Sequence, residues 1–74
     1  MEKGILFMII PCYNEEEVLR TTIDRLGLKL NSFIESGMID EKSRLVFVND
    51  RSKDHTWDII KEANKGSHQI LGIN

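Results

Sequence analysis

Of the features that staple a small protein together, this chain has almost none. Cys12 is the only cysteine among 74 residues, so no disulfide can close within the chain. The two histidines, His55 and His68, sit far apart and lack a partner at ligand spacing, which excludes a Cys/His metal cluster. No apolar run approaches the ~20 residues of a membrane-spanning helix. The run Ile5 to Ile10, close behind Met1, Glu2 and Lys3, is too short for the core of a signal peptide with a cleavage site. A lone cysteine without an export signal favours a reducing, cytoplasmic setting. No sign of charge dominates, with ten Lys and Arg against twelve Asp and Glu, a net charge of −2. Basic residues form no stripe interleaved with aromatics, which argues against nucleic acid as a partner.

What is present suits a folded domain: 41% of residues are hydrophobic and 30% charged. A unit of this length buries only about 60% of the surface its unfolded chain exposes, so it is marginal by itself.

The apolar residues fall into five segments. Gly4 to Ile10 (GILFMII) is continuously apolar and partly β-branched, the pattern of a strand buried on both faces. Pro11, the single proline, has no backbone donor and is expected to stop it. Asn14 is a good N-cap with Glu17 three residues on, as in a capping box. Glu15, Glu16 and Glu17 then lie in a first helical turn, where the helix dipole favours negative charge. Leu19, Ile23, Leu26, Leu30 and Phe33 recur at helical spacing on one stripe. Gly27 interrupts that helix at a cost of about 1 kcal/mol against Ala, and Gly37 is a natural stop.

After a polar loop at Ile39 to Ser43, Arg44 to Val48 (RLVFV) reads as a second buried strand. A second helix follows from about His55 to Asn64, with Trp57, Ile59, Ile60 and Ala63 on its apolar side. Asp54 and Ser52 are equally good caps for it, and Lys65-Gly66 closes it. Gln69 to Ile73 begins a third strand. Strands alternating with helices predict an α/β fold with a parallel sheet and right-handed crossovers. With no helix after the third strand to cover it, the 74 residues read as one partial domain.

In open α/β sheets, ligands bind beyond the carboxyl ends of the strands. Pro11-Cys12-Tyr13-Asn14-Glu15 and Asn49-Asp50-Arg51-Ser52 emerge there and are expected to flank one crevice. Pro11 and Tyr13 offer an apolar wall with a hydroxyl. Glu15 and Asp50 offer acceptors for the N–H groups of a base or the hydroxyls of a ribose. These are the groups of a nucleoside pocket. They do not make a phosphate cradle: neither G-x-G-x-x-G nor G-x-x-x-x-G-K-[ST] follows the first strand, which counts against dinucleotide oxidoreductases and P-loop NTPases. A nucleotidyltransferase would place a Gly-rich basic loop at the same point, and that is missing too. Plainer roles compete: Glu16 and Glu17 suit the helix dipole, Asn14 a cap, Asp54 a turn or cap, Trp57 the core. Cys12 reads as a small filler, without a base to make it a nucleophile.

The run Ile9 to Leu19 (IIPCYNEEEVL) resembles the first-strand signature I-P-x-Y-N-E of family 2 glycosyltransferases. Val46 to Ile60 (VFVNDRSKDHTWDII) resembles their second signature, V-D-D-G-S-x-D-x-T. The two occur in the right order, separated by a helix of the right length. The resemblance implies the N-terminal β-α-β-α-β portion of a GT-A fold, a Rossmann-like sandwich that binds nucleoside-diphosphate sugars. It implies that Pro11, Tyr13, Glu15, Val48 and Asp50 line the nucleotide pocket, with Asp50 accepting hydrogen bonds from the base. It also implies a divalent cation, Mg or Mn, on carboxylates beyond residue 74, where the catalytic base would also lie. The stretches around Val46 and Thr56 look most like the polyprenyl-phosphate members. These transfer a sugar to a lipid phosphate on the cytoplasmic side of a membrane, to which segments beyond residue 74 would attach the full-length protein. Whether that form is a homo-oligomer is left open.

Two positions depart from the pattern. Asn49 stands where Asp is usual, a mild change because an amide still hydrogen-bonds. Arg51 stands where Gly is usual, which is strained if that position needs a positive φ; alternatively, Arg51 reaches toward a diphosphate. These departures and the short length keep a second reading in play, a nucleotide-binding module that transfers nothing.

Overall fold

A computed structural model describes residues 3–74. Five elements alternate along the chain: β1 (Phe7–Cys12), α1 (Glu16–Glu35), β2 (Arg44–Asn49), α2 (Thr56–Gly66) and β3 (Ile70–Ile73). The strands form one parallel sheet in the order β1-β2-β3, as the α/β pattern predicted. Because spatial order follows chain order, both crossovers step the same way. Crossovers of one hand stepping one way put both helices on the same face. Accordingly α1 packs on β2 and α2, and α2 packs on β2 and β3.

The core lies between that face and the helices. Leu45 and Phe47, fully buried at the centre of β2, meet Leu19, Ile23 and Leu30 of α1, Ile59 and Ile60 of α2, Ile70 and Cys12. Each such aliphatic or aromatic side chain contributes about 1.5–3 kcal/mol when fully buried. Gly72 is the point of closest approach in β3: a Cβ there would sit 2.6 Å from Ile60 Cγ2 and 3.2 Å from the Trp57 ring. Ser43 closes the other end of the sheet, its buried Oγ accepting from the Leu6 N–H at 2.9 Å.

Three expectations need correction. Gly4 to Ile10 is not a strand buried on both faces. With both helices on one side, Phe7 and Ile9 face away from them and remain 55% and 59% exposed. Pro11 does not end the strand, for β1 continues through the pairs Pro11–Val48 and Cys12–Asn49. The carbonyls of Leu6 and Cys12 both accept bonds from the β2 side, so the alternating pattern turns the Pro11 nitrogen to the unpaired edge, where no donor is required. Asn14 is not the cap of α1. It stands at φ 47°, in the left-handed region, and Glu15 precedes the first helical residue without a side-chain cap of its own.

The other end of α1 is as expected. Gly37 has φ 79°, with Gly37 N–H bonded to Ile34 and Met38 N–H to Phe33, the paired bonds of a Schellman stop. Gly27 leaves the helix unbroken.

Candidate functional site

The carboxyl ends of β1 and β2 finish level. Cys12 pairs with Asn49, and the Asp50 N–H donates to the Cys12 carbonyl at 2.8 Å. The five candidate residues therefore gather at one end of the sheet. Pro11 and Val48 are partners on adjacent strands, on the face away from the helices, with Val48 flanked on its other side by Ile73. Tyr13 and Asp50 follow directly at the strand ends, and both are exposed. The Asp50 carboxylate accepts no hydrogen bond from the described residues, which leaves its lone pairs open to a ligand. Glu15 is half-buried at the start of α1. Burial pushes the Cys12 thiol above its ordinary pKa, and the nearby negative charge of Glu15 adds to this. A thiol held neutral suits a packing role.

The two loops are tied to one another rather than set apart around a deep crevice. The Asn14 N–H donates to Ser52 Oγ at 3.0 Å, and Asn14 Oδ1 accepts from the Lys53 N–H at 2.8 Å. The Glu15 N–H donates to Thr56 Oγ1 at 2.8 Å. The Thr56 hydroxyl donates in turn to Asp54 Oδ1, which also accepts the Thr56 N–H. Asp54 Oδ2 accepts the Glu16 N–H at 3.2 Å. Partial desolvation works against ionisation of Asp54, but these bonds outweigh it and hold its carboxyl below the usual aspartate range. The N-cap position of α2 is His55, which makes no side-chain cap bond, so neither Asp54 nor Ser52 is the cap: Asp54, one residue earlier, takes the Thr56 N–H, and Ser52 serves Asn14.

The positions that departed from the signature now have an account. Asn49 is buried; its Nδ2 donates to Asn74 Oδ1 at 2.7 Å and its Oδ1 accepts from the Ser52 N–H. An amide does both, whereas a carboxylate would have no proton for Asn74. Arg51 has φ 56°, so its position does require the left-handed conformation that glycine enters freely.

Sequence reasoning missed the tie itself. Its members are separated by 38 to 41 residues, and only the polar character of Ser52, Asp54 and Thr56 hinted at it. Two concavities lie elsewhere. One cleft of about 370 Å³ runs between α1 and α2 beside Arg20, Ile23 and Glu62, and one of about 460 Å³ runs on past Leu28 toward Gln69. Neither contains any of the five candidates. Among the described residues no three His, Cys, Asp or Glu side chains gather as a metal centre, and no helix is long and apolar enough to cross a membrane.

The sequence model of the family described as "Glycosyl transferase family 2" matches residues 7–74. A protein of Bacillus subtilis (strain 168) described as "Uncharacterized glycosyltransferase YkoT" is 36% identical over 69 residues, which cover 93% of this chain and 20% of that protein. The chain thus spans about a fifth of that relative's length. No solved structure matches it.

Proposed function

Because the chain belongs to glycosyl transferase family 2, we propose that it supplies the nucleotide-binding part of an enzyme that transfers a sugar from a nucleoside-diphosphate donor. Its β-α-β-α-β order and three parallel strands match the N-terminal, Rossmann-like part of a GT-A fold. The observation that carries the reading is the level ending of β1 and β2, with Tyr13 and Asp50 each one residue past the last strand pair and the Asp50 carboxylate unengaged. In this reading Asp50 accepts N–H groups of the base. Pro11, Tyr13 and Val48 give the nucleoside an apolar wall, and Glu15 accepts from the ribose hydroxyls.

Transfer breaks the bond from the anomeric carbon to the diphosphate oxygen and forms one to the acceptor oxygen. A divalent cation, Mg or Mn, belongs to the reading as a Lewis acid on the departing diphosphate. The described residues hold no cluster that fits one, so none of them is assigned to that step. We assign the acceptor to the polyprenyl-phosphate class, which would place the work at the cytoplasmic side of a membrane. The support for that is the pair of stretches Ser43 to Asp50 and Asp54 to Ile60.

The test is titration of the chain with uridine and guanosine diphosphates, followed by amide NMR. Shifts centred on Tyr13, Glu15 and Asp50 are expected. Asp50→Ala should weaken binding by about 1–3 kcal/mol, the cost of leaving a ligand's donor groups unpaired. Shifts confined to the cleft between α1 and α2, or unchanged affinity in Asp50→Ala, would count against it. Arg51, left-handed and outside the pattern, favours the second reading of a module that binds nucleotide and transfers nothing. Binding without turnover by the longest natural form of the protein would select that reading.

A further inference from the structure

Asp54 holds the starts of two helices with one carboxylate. Oδ1 takes the Thr56 amide and hydroxyl at the start of α2, and Oδ2 takes the Glu16 amide at the start of α1. Thr56 completes the circuit. It has no exposed surface, so its hydroxyl must be satisfied internally, and it is satisfied on both sides, by the Glu15 N–H and by Asp54.

We propose that Asp54, acting with Thr56, is the positioning residue that sets the spacing between the two walls of the nucleotide site. The inference rests on the nucleotide reading given above. One wall, Tyr13 to Glu15, leads into α1, and the other, at Asp50, belongs to the loop that leads into α2. Nearer the strand ends the walls are already joined by the Asp50 N–H bond to Cys12 and by the Asn14 bonds to Ser52 and Lys53. Asp54 and Thr56 bond the backbone on the α1 side at two successive amides, Glu15 and Glu16, and so fix the approach of the first loop to the second. Asp54 uses both carboxylate oxygens for this, one toward each helix start. A plain helix cap needs one.

That difference supplies the test. Asn has a single acceptor oxygen, so Asp54→Asn can still take the Thr56 amide and hydroxyl but gives up the bond to the Glu16 amide. Amide hydrogen exchange is measured on the unmodified chain, on Asp54→Asn and on Thr56→Val, alongside calorimetric titration with uridine and guanosine diphosphates. In Asp54→Asn, exchange at Glu16 should speed up by about tenfold with Thr56 still protected, and nucleotide affinity should fall by about tenfold, the loss of one charge-assisted bond. Thr56→Val, close in shape but without the hydroxyl, should expose the Glu15 amide and weaken binding similarly. Unchanged exchange at Glu16 would overturn the tie. Faster exchange with unchanged affinity would overturn the positioning role and leave the nucleotide reading intact. If the unmodified chain binds neither nucleotide, the nucleotide reading falls and takes the positioning role with it, whatever the exchange data show.

Discussion

Arg51→Gly should stabilise this protein, an unusual expectation for replacing a residue by glycine. Arg51 stands at φ 56°, and an L-residue in that conformation loses roughly 1–2 kcal/mol to the contact of its Cβ with the backbone. Its side chain makes no hydrogen bond or ion pair among the described residues and is exposed, so truncation removes no polar contact. Against the gain stands the greater freedom of glycine in the unfolded chain, about 0.4–1 kcal/mol. The middle of each range leaves about 0.8 kcal/mol in favour of glycine. For a chain of this length 1 kcal/mol moves the melting temperature by about 4–8 °C, so a rise of about 3–6 °C is expected by circular dichroism, with the urea midpoint moving in parallel. Arg51→Ala keeps the Cβ and should gain nothing. If alanine stabilises as much as glycine, the benefit comes from removing the guanidinium. If glycine does not stabilise, the backbone argument is wrong. Asn14, at φ 47°, is the contrasting case. Asn tolerates this region, and Asn14→Gly loses the bond to the Lys53 amide, so it should destabilise.

Two other expectations concern the core and the loops. Gly72→Ala pushes a methyl group against Ile60 and Trp57 and should cost about 1–3 kcal/mol in chemical denaturation, the usual penalty of overpacking. The Asp54 carboxyl has its pKa lowered in the folded state, so it contributes stability above about pH 4, the ordinary aspartate value. That contribution is lost as pH falls through the lowered folded value. The stability difference between the unmodified chain and Asp54→Asn should therefore be constant near neutrality and shrink in acid, as measured by denaturation from pH 7 down to pH 2. A difference that grows in acid would contradict the sign.

Element order and core membership were legible because they rest on local patterns. The 3–4 spacing from Leu19 to Leu30 and the β-branched runs around Ile9 and Val46 each point to one element type. Gly37 was legible for the same reason, because little else accepts its φ. The misreadings share a different cause. Pro11 would end a central strand, and whether a strand is central depends on neighbours that spacing does not reveal. Asn14 is favoured both as a cap and in the left-handed region, so residue type alone could not decide between them. That the five candidates cluster followed from strand parity and order. The tie through Asp54 and Thr56 did not, because it exists only once β1 and β2 lie side by side.

Among the described residues one side of the sheet carries no helix, and this has a practical consequence. Phe7, Ile9, Leu71 and Ile73 present a greasy plane to water, with Val46 and Val48 between them. A plane of that kind makes the purified polypeptide prone to clumping. Handling it in dilute solution, or swapping Ile9 and Ile73 for hydrophilic side chains, would improve its behaviour without disturbing the helices on the far side.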